Sequence, residues 1–238
     1  MSGFDIEQRL LYRDGLMLVI DKPSGIPVHA GPAGGDNLER YFDALRFGLP
    51  RPPALAHRLD RDTSGCLVLG RHPKALRKLG KLFSDGRIEK TYWAVTKGVP
   101  EKLSGTIDAR LKKETRGSGW RVVIADDGQK AVTTYRVVAQ QDGLCFIEAK
   151  PKTGRTHQIR VHLESIGAPL LGEPQYGALT AEERAHPMML HARRLIIPIS
   201  NNKPPVTVEA PPPPAMQELL ARLGVSPAGC GADENAQA

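Results

Sequence analysis

Apolar residues in this chain fall mostly into short runs rather than long stripes. "LMLVID" (16–21), "CLVLG" (66–70), "YWAVTKG" (92–98), "WRVVIA" (120–125), "AVTTYRVVA" (131–139), "LCFIEAK" (144–150) and "RLIIPIS" (194–200) are each of strand length, and several end in Gly- or Asp-containing turns. Helical patterns are fewer. "DNLERYFDALRF" (36–47) begins with Asp36 as N-cap and places Glu39 at capping-box spacing, and Pro50, Pro52 and Pro53 prevent its continuation. "KALRKLGKLFSDG" (74–86), "RTHQIRVHLESIG" (155–167), which stops at Gly167, and "AMQELLARLG" (215–224) are the other three.

Strands that follow one another through short turns, with only occasional helices, predict an α+β fold. The expected sheet is mixed and largely antiparallel, with flanking helices and loops. The chain shows no internal repeat. It reads as one domain over residues 1–223, followed by a small, polar and flexible tail over 224–238, with Pro211 to Pro214 as a stiff spacer before the last helix.

Composition narrows the function classes. A hydrophobic content of 40% in 238 residues supports a proper core, and 33 Lys and Arg against 26 Asp and Glu give a net charge of +7. That balance favours a polyanionic partner, with nucleic acid the leading candidate. Cys66, Cys145 and Cys230 form no CxxC and no even framework, so neither disulfides nor zinc are expected, and a reducing cytoplasm fits. The N-terminus lacks the apolar core of a signal peptide, and no apolar stretch reaches the roughly 18 residues of a membrane span, so a cytoplasmic location without membrane contact is expected.

Three places concentrate charge. The helix from Lys74 places Lys74, Arg77, Lys78 and Lys81 on one side and Leu76, Leu79 and Leu82 on another, which suits a phosphate-facing ridge or a solvated basic face. "TGRTHQIRVHL" (153–163) delivers Arg155, His157, Arg160 and His162 at a helix start, where backbone N–H groups favour anions. His157 and His162 are five apart and no HExxH accompanies them, so no metal site is expected. "HRLDRDTSG" (57–65) sets Asp60 and Asp62 among His57, Arg58 and Arg61. An enclosed Asp60 needs a cation to remain ionised, for which Arg155 is a candidate, whereas Asp62 before Thr63, Ser64 and Gly65 suits a turn. The "DTSG" stretch is not an aspartic-protease motif, since an extra residue precedes Gly65 and no second copy exists. No second acid stands in a setting that would suggest a glycosidase.

Taken together, these segments resemble the RluA-type RNA pseudouridine synthases. "HRLDRDTSGCLVLGR" is similar to that family's HRLD-x-x-TSG segment, "IDKPSGIPVHA" (20–30) to its KP-x-G segment and "EKTYWAV" (89–95) to its K-x-Y segment. "KAVTTYRVV" (130–138), "GRTHQIRVHL" (154–163) and "LHARRLIIP" (190–198) resemble its later elements, so the likeness runs in order from about residue 10 to 220. The resemblance implies the pseudouridine-synthase catalytic fold and an enzyme that isomerises uridine in structured RNA, transfer or ribosomal or both, without a cofactor. It implies Asp60 as the essential catalytic residue, Tyr92 as the active-site tyrosine and Arg155 as the partner of the aspartate.

Because a base must leave its stack to react, Arg58 is expected to enter the vacated space, with His57 either contacting the RNA backbone or serving as a satisfied structural histidine. The Lys74, Arg77, Lys78 and Lys81 ridge, Arg160 and the insert "KKETRGSGWR" are further expected RNA contacts, while Lys22 and Pro23 shape the pocket floor. The chain departs from the family in "LLGEPQYG", where Glu173 stands in place of the usual Asp. A separate N-terminal S4-like module is not expected, and nothing in the sequence requires more than a monomer. An RNA-binding module or chaperone with the same fold but no turnover is the alternative.

Overall fold

The structure is a computed structural model and describes residues 4–31, 34–117, 119–200 and 202–226. In chain order its strands are β1 (Leu10–Arg13), β2 (Met17–Lys22), β3 (Ala54–Leu55), β4 (Ser64–Gly70), β5 (Glu89–Lys97), β6 (Ser104–Asp108), β7 (Leu111–Arg116), β8 (Gly119–Ile124), β9 (Val132–Gln141), β10 (Leu144–Pro151), β11 (Leu190–Ile197) and β12 (Val206–Glu209). The helices are α1 (Pro73–Ser84), α2 (Gln158–Ser165), α3 (Ala181–Ala185) and α4 (Pro214–Arg222), with 3-10 segments at Glu7–Arg9 and Leu38–Arg46. Each expected apolar run overlaps a strand. The β4–β11 pairing is parallel, whereas β1–β2, β2–β4, β3–β4, β6–β9, β7–β8, β9–β10 and β11–β12 are antiparallel, so the α+β expectation holds.

The chain gathers into two compact units that interleave in sequence. The first holds the residues up to Tyr92 with Lys152–Thr156 and His191–Pro211; the second holds Trp93–Pro151, His157–Leu190 and the chain from Pro212. Most of the tail expected to be flexible, from residue 227 on and including Cys230, lies outside the described residues.

In the first unit the sheet runs β1–β2–β4–β11, with β3 on β4 and β12 on β11. All seven residues of β4 are buried, as are Met17 to Ile20 of β2. This explains why these strands read as unbroken apolar runs, since alternate side chains point to opposite faces and both faces are covered. Leu18, Ile20, Leu67 and Leu69 pack with Ile26, Leu38, Phe42 and Leu45, while Met17, Val19, Cys66 and Val68 pack with Leu79 and Leu82 of α1. A side chain at Gly70 would meet Leu76 Cα at 2.9 Å, so glycine lets α1 approach the strand it follows.

The segment at 36–47 departs from its expected form. It is a 3-10 stretch with Asn37 as its N-cap and no side-chain cap, and Asp36 instead accepts a hydrogen bond from the Tyr41 hydroxyl at 3.2 Å. Burial of Leu38, Phe42 and Leu45 fixes this segment without the capping box.

The second unit carries β5 from Trp93 onward in the order β5–β10–β9–β6, and separately the β7–β8 hairpin. Asp142 and Gly143 join β9 to β10 with φ of 51° and 73°. Positive φ at both loop residues is what a tight two-residue hairpin requires, and an Asp-Gly pair supplies it. Trp93, Phe146, Leu171 and Met189 form a core with Met216, Leu219 and Leu220 of α4. The third expected helix starts only at Gln158, so Arg155 and Thr156 lie in the preceding loop. Helix α3, which the apolar pattern did not suggest, is held by a capping box between Thr180 and Glu183.

Candidate active site

The segment bearing Asp60 enters β4 through a turn, closed by the Thr63 N–H donating to the Asp60 carbonyl at 3.2 Å. Asp62 sits inside this turn, as expected. The loop after β2 is laced to it: Gly25 N–H donates to the Arg61 carbonyl at 3.0 Å, the Ser24 hydroxyl to the Asp62 carbonyl at 2.7 Å, and Arg61 Nε to the Gly25 carbonyl at 3.1 Å. Beneath both loops lies Lys22, fully buried. Its Nζ donates to the carbonyls of Pro23 (2.7 Å), Arg61 (2.8 Å) and Thr63 (3.0 Å), so each ammonium proton has an acceptor. Burial lowers the Lys22 pKa to about 8, and the Asp62 and Asp60 carboxylates act in the opposite direction. The KP-x-G and HRLD segments are therefore two halves of one construction.

Behind the turn, Gly65 has φ +102°, and a side chain there would meet the Ala192 carbonyl oxygen at 2.4 Å. Ser64 and His191 lock the same crossing. The His191 Nε2–H donates to the Ala210 carbonyl at 3.2 Å, which leaves Nδ1 to accept from the Ser64 hydroxyl at 2.9 Å. Burial lowers the His191 pKa to about 4, so the ring is neutral at ordinary pH. Neither His191 nor Ser64 was singled out from sequence. A histidine inside the apolar run of β11 was the available signal.

Tyr92 packs against the first core at the end of the first unit's share of β5. Burial raises its phenol pKa, and the Asp60 carboxylate and then Cys66 add to the rise. The phenol is thus protonated and within electrostatic reach of Asp60. Cys66 offers no competing nucleophile, because burial pushes its thiol up to about 12. Arg155 is exposed in the loop before α2, and Lys90 Nζ donates to the Thr153 carbonyl of that loop at 3.3 Å.

Two of the expected RNA contacts already have partners within the protein. His57 Nε2 accepts the Val68 N–H at 3.0 Å and its ring stacks on Phe83 at 4.2 Å, while burial and then the Lys90 charge lower its pKa to about 3. The ring is neutral and supports the strand through this bond. Arg160 is 5% exposed, and its Nε and Nη2 donate to the two carboxylate oxygens of Glu173 at 2.8 and 2.6 Å. Its charge is already matched inside the second unit, and Glu173, the departure noted in the sequence, is its partner. Arg58 is exposed, next to buried Leu59. Lys74, Arg77, Lys78 and Lys81 are all exposed along α1, with Lys81 3.2 Å from Asp85.

Among the described residues no group of three or more His, Cys, Asp or Glu could hold a metal, and no helix is long and apolar enough to cross a membrane.

The sequence and the fold have counterparts in known proteins. The family model described as RNA pseudouridylate synthase matches residues 16–165. An uncharacterized RNA pseudouridine synthase of Zymomonas mobilis is 45% identical over 216 residues, 90% of this chain and 98% of that one. Ribosomal large subunit pseudouridine synthase D of the same organism is 36% identical, over 93% of this chain and 74% of its own. Among solved structures, human RNA Pseudouridylate Synthase Domain Containing 4 superposes with a TM-score of 0.78 at 27% identity, covering 93% of this chain and 95% of that one. The chain belongs to the RluA-type RNA pseudouridine synthases, and the enzyme class is RNA pseudouridine synthase.

Proposed function

We propose that this enzyme converts specific uridines of structured RNA to pseudouridine with Asp60 as the catalytic residue. The observation that carries this reading is the way Asp60 is held. Its turn is fastened from below by a buried ammonium with three carbonyl acceptors, and its carboxylate charge bears on the Tyr92 phenol.

The chemistry follows from these roles. The Asp60 carboxylate initiates the reaction as nucleophile at C1′ or as base at the 2′ carbon, and either role requires it to be ionised, which pairing with Arg155 favours. The C1′–N1 bond breaks, the base rotates, and C5 bonds to C1′, displacing the Asp60 carboxylate in the nucleophilic route or, in the base route, with the 2′ carbon regaining its proton from Asp60. The proton then leaves C5 with help from the Tyr92 oxygen while N1 regains one, so the product has the composition of the substrate. Tyr92 also offers its ring face to the base.

Extruding the target from its stack costs a few kcal/mol. Exposed Arg58 entering the vacated space, and phosphates lying along Lys74, Arg77, Lys78 and Lys81, compensate that cost. Ribosomal RNA is the favoured substrate class, supported by the likeness to ribosomal large subunit pseudouridine synthase D, and transfer RNA is the second. Residues 1–223 act as one catalytic module, as a monomer in the cytoplasm and without a cofactor.

The test is tritium release from RNA labelled at uridine C5, comparing the protein with Asp60→Asn. Release that vanishes in the variant while RNA binding persists is the expected result. Equal release from both would overturn the role of Asp60, and no release from either ribosomal or transfer RNA despite tight binding would favour a binding module.

A further inference from the structure

The insert singled out in the sequence forms the β7–β8 hairpin, and it exposes an aromatic side chain. Trp120 is 39% accessible, whereas Trp93 is 2%. Cross-strand pairing sets Thr115 opposite Trp120 and Lys113 opposite Val122. Leu111 and Val122 anchor the base of the hairpin in a small core with Ala131, Val161 and Tyr176, so Trp120 stands outward of that anchor.

Its surroundings are fixed. The Trp120 carbonyl accepts from Gln175 Nε2 at 2.7 Å, and the His157 ring lies 5.0 Å away, tilted by 30°. The Tyr176 hydroxyl accepts the Val122 N–H at 3.0 Å and shares a hydrogen bond with His157 Nδ1 at 2.7 Å. His157 itself has φ 53°, a left-handed conformation that a residue other than glycine adopts at a cost and that persists where the surroundings impose it. The aromatic pair is thus held in one orientation before any ligand arrives.

A cation borders this pair: Lys113 Nζ sits 4.2 Å from the Trp120 ring centroid. Arg121, whose Nε is buried, follows Trp120 in β8 and points to the opposite face of the hairpin, and Lys112 is paired with Asp127. An exposed indole beside a lysine ammonium, on a chain of net charge +7, matches one chemistry well, that of an unpaired nucleotide. The base supplies a π face, and the flanking phosphates supply negative charge.

We propose that Trp120 is a stacking platform for an unpaired base of the RNA, with Lys113 taking an adjoining phosphate. Lys113 is long and unbranched, so its ammonium moves from the ring to a phosphate while its stem stays in place. The inference rests on the RNA-directed reading above and adds to it a preference for RNA with a single-stranded segment at this hairpin.

The test uses the full chain and two labelled RNAs, an oligoadenylate of about ten nucleotides and a blunt duplex, with binding followed by fluorescence anisotropy. Trp120→Ala should weaken oligoadenylate binding about tenfold, Trp120→Phe should retain most of the affinity, and duplex binding should be unchanged in both. Circular dichroism melting shows that the variants are folded. Unchanged oligoadenylate affinity in Trp120→Ala overturns the proposal, and so does an equal loss on both RNAs, which would mark a loss of charge or fold. Oligoadenylate contains no uridine, so this result is independent of turnover. An intact Trp120 effect with no tritium release from uridine-labelled RNA would overturn the catalytic reading alone.

Discussion

The Lys22 ammonium and the Arg61 main-chain carbonyl are 2.8 Å apart, in a bond that joins the end of β2 to the turn bearing Asp60. With the bonds to Pro23 and Thr63, it makes one buried charge the keystone of two loops. Lys22→Met keeps the stem and removes the charge, leaving three carbonyls without their donor. The expected loss is about 3 kcal/mol of unfolding free energy, measured by urea denaturation, together with a fall in kcat larger than any change in RNA affinity. A variant as stable and as active as the parent would show that the ammonium does not hold the turn.

His191 gives a pH dependence whose sign is fixed by its lowered pKa, about 4 in the fold against 6.5 for the free side chain. Its contribution to stability is complete above the free value. As pH falls from about 6.5 towards 4, the unfolded chain takes up a proton that the folded ring refuses, and the contribution is lost. Between about pH 7 and about pH 5 the expected loss from this residue is about 2 kcal/mol. Urea denaturation of the parent and of His191→Gln at the two pH values isolates it: His57 contributes to the dependence of both, so the variant's should be shallower than the parent's by about 2 kcal/mol.

Gly65→Ala should be among the most damaging single changes, because the added carbon would lie 2.4 Å from the Ala192 carbonyl oxygen at φ +102°. Relief would require separating β4 from β11, directly behind the Asp60 turn. A fall in unfolding free energy of at least about 3 kcal/mol is expected, read as a lower melting temperature or as insoluble protein. Gly80→Ala, where a side chain would meet nothing within 4 Å, is the control and should be neutral or mildly stabilising.

Much of this was legible in the sequence, for physical reasons that also explain what was not. Strands β2 and β4 announce themselves because both of their faces are buried, and Asp142-Gly143 because few other pairs adopt two positive φ values. Strands β6 ("SGTID") and β12 ("VTVE") were missed because they are short and mostly exposed, so pairing rather than apolar pattern defines them. The place of Asp60 was readable from its motif, but the role of Lys22 was not, since its acceptors at Arg61 and Thr63 are main-chain atoms some forty residues away. Main-chain acceptors leave no side-chain signature. The Arg160 pairing was hidden for a related reason: a basic residue near a helix start looks anion-binding, and only the fold places Glu173 beside it in space.

That pair makes its own prediction. Arg160→Ala leaves Glu173, 1% exposed, as an uncompensated buried carboxylate. The expected cost is about 3–5 kcal/mol in urea denaturation, with little change in the salt dependence of RNA binding once folded protein is compared. Glu173→Asp should cost less, because it withdraws the carboxylate by one methylene without removing its charge. A drop in the slope of log affinity against log salt for Arg160→Ala would instead return Arg160 to the RNA surface.

Arg58 should show the opposite division between stability and binding. It is exposed two residues before Asp60, and buried Leu59 between them anchors the segment, so its removal takes nothing from the core. Arg58→Ala is expected to leave the melting temperature within about a degree or two of the parent, as surface changes commonly do. On the proposed reading its guanidinium enters the space left by the extruded base and offsets part of a cost of a few kcal/mol, so affinity for substrate RNA should fall about tenfold. The same variant should bind an RNA carrying an abasic or mismatched target with a smaller deficit, since less stacking is lost when that base leaves. Equal affinity of parent and variant for intact substrate RNA, with tritium release unchanged, would remove Arg58 from the extrusion step.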